Sequence, residues 1–269
     1  VDPRALAATR WSGLQGATPV AVEVAETFPL DSAGTALVLL HVALADGDRA
    51  RLTAPSGEPL LGEGAGASAS APWRDLHRLA TRGGEGVGSA GGRLVGHPAT
   101  PSVEPPPRPS ARPAVRPSPG DQSHTSVIVD ETAILKLYRR LSDGQDPEVE
   151  LLSVLAVGPR PAPVPALVGW VELVPGDGGP AVAVAVEQAF VSDAEDAFEA
   201  VANGISGWLS GTTGEPPPTT LPAAVGQATA ELHAALAAVD EPGFAPTPAT
   251  TEERLRDLRG AGAARGAVR

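Results

Sequence analysis

Apolar and polar positions alternate with a period of two over residues 18–28, where Val20, Val22 and Val24 are separated by smaller or polar residues. That period predicts a half-buried strand. Residues 34–54 read as a long strand, an Asp46-Gly47 step and a second strand. Asp-Gly between two strand patterns predicts a hairpin. A short helix is predicted at 71–82, after which the glycine-rich run 83–92 breaks all periodicity. Residues 1–97 therefore read as a first, β-rich unit.

Residues 98–120 contain nine prolines in 23 positions. Proline lacks the amide N–H and fixes φ, so no sheet or helix is expected there. The segment reads as a semi-extended linker. Beyond it, residues 124–140 predict strand, turn, strand, with Ile134, Lys136 and Tyr138 on one face and Leu135 and Leu137 on the other. A helix is predicted over 146–156: Asp146 suits the N-cap, Pro147 the first turn, and Glu148 the positive helix end. Two more strands are predicted at 164–173 and 180–190, with a Pro-Gly-Asp-Gly-Gly turn between them. Amphipathic helices follow at 192–211, carrying Phe198, Val201, Ile205 and Trp208, and at 223–239, carrying Val225, Ala228, Leu232 and Leu236. The expected class is α+β, with β-β-α-β-β as the order of the second unit.

Composition narrows the chemistry. The formal net charge is -12, which argues against a nucleic-acid footprint. There is no cysteine, so disulfides and thiolate metal sites are excluded. No apolar run reaches the roughly 18 residues that span a bilayer, and the expected localisation is cytoplasmic. The arginine bias, with abundant Ala, Gly and Pro, points to a high-GC bacterial genome.

One residue departs from that bias. Lys136 is the sole lysine among 20 basic residues. It sits in the middle of a predicted strand and is followed by a helix with acidic residues in its first turn. A compact ammonium on a flexible stem suits a phosphate contact better than a planar guanidinium fork. A strand lysine held by a helix glutamate is how protein-kinase-like lobes place the α- and β-phosphates of ATP. The expected pair is Lys136 and Glu150. Glu148 is the competing partner, and its place at the helix start reads as a dipole-matched surface acid. The alternative is a lysine snorkelling from a half-buried strand.

The segment from Asp121 to Leu151 resembles the nucleotide-binding segment of actinobacterial maltokinases, which are aminoglycoside-phosphotransferase-like sugar kinases. Gln122, Ser123, Thr125, Ser126, Lys136, Arg139, Arg140, Pro147 and Glu150 match that pattern, and His124 stands where the family has Asn. The resemblance implies an ATP site built from Ser123, His124, Thr125, Ser126, Lys136 and Glu150. It also implies a hinge of Gln188, Ala189, Phe190 and Val191 that holds adenine through backbone groups, with Ala189 in place of the family's Glu. Residues 229–236 resemble the Thr-Ala-Glu-Leu-His helix that opens the C-lobe, so His233 is expected to be structural. Residues 9–16 resemble the start of the maltokinase N-terminal cap, with departures at Ser12 and Gln15.

On this resemblance, residues 1–97 are a cap, 98–120 a linker, 121–191 an N-lobe, 192–250 the helical start of a C-lobe, and 251–269 a disordered tail. The implied activity is phosphate transfer from ATP to maltose, within trehalose–glycogen metabolism and with trehalose synthase as a candidate partner. The implied cofactors are ATP and Mg²⁺. The related glucosamine kinases share the architecture, so an amino sugar is an alternative substrate.

The family's His-Gly-Asp-x-His-x-x-Gln loop does not occur in these 269 residues, and no cluster of metal-binding carboxylates is evident. No catalytic or metal-ligating residue is therefore expected here, and the Mg²⁺ ligands are expected in a missing lobe. Three readings follow. The chain is the cap and N-lobe of a sugar kinase, inactive alone; or a non-catalytic remnant that binds nucleotide or a partner; or an unrelated α+β module.

Overall fold

The computed structural model describes residues 16–30, 34–56, 70–99, 113–118, 124–142, 146–211 and 219–239, with Pro3, Leu6, Ser12 and Leu14 before them. Most of the cap-like stretch 9–16, most of the proline-rich segment, Ser123 and the tail 251–269 lie outside the described residues.

Two antiparallel sheets form the frame. The first has strands β1 (Pro19–Pro29), β2 (Ala36–Leu44), β3 (Arg49–Pro55) and β9 (Arg140–Leu141), in that order. The Asp46-Gly47 step makes the β2–β3 turn, with Gly47 at a φ of 95° that L-residues rarely adopt. The second sheet runs β4 (Gly84–Val87), β5 (Arg93–Pro98), β10 (Leu167–Val174), β11 (Val182–Ala189), β8 (Ala133–Leu137), β7 (Thr125–Val129) and β6 (Val115–Pro117). Among the strands of the second sheet the β-β-α-β-β order holds as β7, β8, helix α2 (Pro147–Val157), β10 and β11, with the two-residue β9 of the first sheet before the helix.

Two expectations need correction. The glycine-rich run 83–92 contains β4 and leads into β5, because glycines do not prevent pairing along a sheet edge. The proline-rich segment ends in β6, a strand at the opposite edge. It pairs only with β7, so the missing N–H of Pro117 costs no ladder bond on its open side. The Asp130-Glu131 turn anchors this edge: Ala114 N donates to Asp130 Oδ1 at 2.7 Å and Asp130 N to Ala114 O at 2.9 Å. Strand β5 runs through Pro98, and with β4 it joins the sheet of Lys136, while β9 joins the first sheet.

Helix α1 (Ser70–Arg82) explains why the units interlock. Trp73, Leu76, Leu79 and Ala80 share one face and are buried. Burying a large apolar side chain contributes about 1.5–3 kcal/mol. That face lies across β5, β10 and β11. Gly96 and Gly169 permit it: a Cβ at either position would collide with the carbonyl of Leu79 or of Ala80. One core joins α1 to Phe28, Leu37 and Leu39 of the first sheet and to Leu94, Leu135, Leu137, Val171 and Val184 of the second. The other face of the second sheet packs on α2 through Val149, Leu152 and Val186.

Helices α3 (Ala197–Leu209) and α4 (Thr220–Ala237) pack differently. The expected apolar stripe of α3 is present, but Phe198, Ile205, Trp208 and Leu209 are exposed and no residue of the helix is buried. In α4 only Ala235 is buried among the described residues.

Candidate functional site

Antiparallel pairing lines up Ser126, Lys136, Val186, Trp170 and His97 across five strands. Directly opposed residues point to the same face, here the α2 face. Two residues along, a second row contains Arg116, Ile128, Ile134 and Gln188. Lys136 thus stands between Ile128 and Ile134 of that row and the start of α2. Leu135 and Leu137 on either side of it are buried in the opposite core, which fixes its direction.

Asp146 sets the helix start. Its Oδ1 accepts from Glu148 N at 2.9 Å and from Val149 N at 3.3 Å, and Pro147 occupies the first turn. The same oxygen lies 3.1 Å from the Tyr138 hydroxyl, which brings α2 against the end of β8.

The glutamate on Lys136 is Glu148, not Glu150. Lys136 Nζ donates to Glu148 Oε1. Gln188 Nε2 donates to the same oxygen at 3.1 Å, and Tyr138 OH donates to Glu148 Oε2 at 2.9 Å. Helical phase explains the correction. Val149 and Leu152 face the sheet, so Glu148 lies near their arc and Glu150 falls on the far side. Glu148 is half-buried and is not a surface acid.

The electrostatics follow. Burial alone would raise the Glu148 carboxyl, but Lys136, Tyr138 and His124 more than offset it and hold it below its ordinary value. Burial, then the carboxylates of Glu148 and Asp146, push the Tyr138 hydroxyl far up, so it remains a donor. Burial and then the Lys136 ammonium lower the His124 imidazole, with Glu148 opposing.

The remaining expected residues divide. Ser126 is buried directly opposite Lys136. Thr125 Oγ1 accepts from Arg139 Nε at 2.8 Å and is engaged within the fold. Ser123 lies outside the described residues. At the hinge, Ala189 N donates to Ala166 O and Phe190 N to Thr132 O, both at 2.8 Å. Those two amides are used in holding the strand ends, so the expectation that the hinge binds adenine through its backbone narrows. Val191 is exposed just beyond them. The Arg116 guanidinium sits 5.8 Å from the centre of the Phe190 ring.

Sequence reasoning missed the Gln188 and Tyr138 side chains as partners of Glu148. The pleat carried part of the signal, since Tyr138 shares the Lys136 face. It also missed a buried pair on the other side of β11, where His77 Nδ1 lies 2.8 Å from Glu187 Oε1. Among the described residues, no group of three or more His, Asp or Glu could hold a metal ion.

No protein-family model matches the chain. Among solved structures, a glucosamine kinase (crystal form B) superposes with a TM-score of 0.51 at 23% identity, over 88% of this chain and 51% of that one. A glucosamine kinase in complex with glucosamine, ADP and inorganic phosphate matches with a TM-score of 0.50 at 22% identity, over 88% of this chain and 47% of that one. The chain spans about half the length of the glucosamine kinases it matches. It has an α+β, kinase-like fold of the kind those sugar kinases show.

Proposed function

We propose that this chain is the nucleotide-holding part of an ATP-dependent sugar kinase, with Lys136 as the phosphate anchor. The observation that carries the reading is the Glu148 carboxylate, which gathers Lys136, Gln188 and Tyr138 at one point on the sheet. An ammonium fixed in direction is what a phosphate contact requires. Ser126 and His124 flank it on β7 and just before that strand. Ile128 and Ile134 lead from it to the hinge, where the Val191 amide and the hinge carbonyls would meet an adenine edge. ATP or ADP fits this donor set. Bound Mg²⁺ would neutralise phosphate charge, and its protein ligands are expected in a second lobe.

The structural neighbours favour an amino sugar over maltose as the acceptor, since those proteins are glucosamine kinases and one holds glucosamine with ADP. A second reading is favoured by the missing His-Gly-Asp loop: these 269 residues bind nucleotide without transferring phosphate.

Thermal unfolding of the full chain tests both. A ligand that binds only the folded state at 100 times its Kd stabilises by about 2.7 kcal/mol. Mg-ATP is expected to raise the melting temperature. Added glucosamine and maltose, with release of ADP followed in the same samples, then separate binding from turnover. A melting temperature that ATP does not change at millimolar concentration contradicts the site.

A further inference from the structure

Consecutive residues of β11 reach opposite sides of the sheet. Gln188 faces α2 and donates to Glu148. Glu187 faces α1, is completely buried, and meets His77 Nδ1 at 2.8 Å. Nothing in the nucleotide reading uses this pair. Burying such groups carries a desolvation cost, and well-packed apolar residues of similar volume often serve stability as well or better. A role in position rather than in stability accounts for the pair more directly.

The surroundings show what it positions. Gly96 and Gly169 seat the backbones of β5 and β10 directly against α1. At β11 the helix is joined by the His77–Glu187 bond instead. Helix α1 also holds the segment leading into edge strand β6, because Arg74 Nε donates to Pro113 O at 2.8 Å. The sheet next to Lys136 is thus referenced to α1 on both sides. A shift of Glu187 carries its covalent neighbour Gln188 with it, and Gln188 shares one carboxylate oxygen with Lys136.

We propose that His77 and Glu187 are positioning residues, which couple helix α1 to the Lys136–Glu148 pair through Gln188. The role assigned to Lys136 here rests on the nucleotide reading above.

The sole lysine makes the coupling measurable in the full chain. Lysine labelled with a nitrogen isotope at Nζ gives one side-chain resonance, that of Lys136. The double variant His77→Leu/Glu187→Leu removes both partners, so neither is left buried without the other. Its Lys136 resonance is expected to move toward that of Glu148→Gln, with ATP affinity reduced about five-fold. Glu187→Gln keeps a hydrogen-bonding group on His77 and is expected to retain the wild-type resonance. Leu76→Ala, on the same helix, is expected to lower the melting temperature and leave the resonance in place.

An unmoved resonance in the folded double variant overturns the proposal, as does an equal shift in Leu76→Ala. If the double variant does not fold, Glu187→Leu and His77→Leu are read singly, with the same two outcomes. The resonance is recorded without nucleotide. A wild type that binds no ATP therefore defeats the site reading, while the coupling is judged on the resonance alone.

Discussion

Glu148 holds Lys136, and Glu150, two residues further along α2, does not. The two glutamates differ only in helical phase, and they give opposite expectations on substitution. Glu148→Gln should weaken ATP binding about ten-fold, as expected for losing a charged hydrogen-bond partner. Glu150→Gln should leave it unchanged. Competition against a fluorescent ATP analogue measures both, and equal effects would mean that the pair seen at Glu148 does not orient the ammonium.

The pH dependence of stability should carry two opposite signs. The folded Glu148 carboxyl lies below its ordinary value of 4.5, with Lys136, Tyr138, Asp146, His124 and Gln188 around it. Its contribution is present above about pH 4.5 and is lost as pH falls through the lower folded value. Burial raises the Glu187 carboxyl, with the facing His77 opposing. Its contribution is present below that range and is lost as pH rises through the higher folded value. Urea unfolding between about pH 3 and 7 should show Glu187→Gln gaining on the wild type as pH rises. Glu148→Gln should close on the wild type as pH falls. The same slope in all three proteins contradicts both assignments.

Much of this arrangement was legible in the chain. The Asp46-Gly47 hairpin, the α2 cap at Asp146 and Pro147, and the face shared by Ile134, Lys136 and Tyr138 are local patterns, and local patterns fix local structure. The order β-β-α-β-β and the α+β class followed from them. The Glu148 pairing was missed because a first-turn acid is equally well explained by the helix dipole. Only the phase of Val149 and Leu152 against the sheet separates the two readings. The strands at 84–87 and 115–117 were missed because glycine and proline content describes propensity, while edge pairing is a tertiary effect. The His77–Glu187 bond joins residues 110 positions apart, and no periodicity reports such a contact.

The seat of α1 on the sheet makes Gly169 a sensitive position. A Cβ there would meet Ala80 O and His97 O. Gly169→Ala should cost about 1–3 kcal/mol through forced displacement of α1. Gly86 has nothing within 4 Å of an added Cβ, so Gly86→Ala should be nearly neutral. Chemical denaturation of the two variants makes the comparison, and a harmless Gly169→Ala would mean that α1 is not held by close backbone contact.

The exposed stripe on α3 should promote association. Phe198 is 81% and Leu209 71% exposed on one helix face, and contiguous apolar surface of this kind favours contacts between molecules. Phe198→Ser with Leu209→Ser should reduce self-association while moving stability by no more than about 0.5 kcal/mol per site. Sedimentation velocity of the purified chain and the variant reads the first, and thermal unfolding the second.

The central claim is that Lys136 anchors a nucleotide. Calorimetric titration of Mg-ATP into the full chain, with Lys136→Ala alongside at matched folded fraction, tests it most directly. The account predicts a saturable, one-site heat in the wild type and its loss in Lys136→Ala. A well-folded wild type that gives no heat, or a variant that binds as tightly, contradicts it.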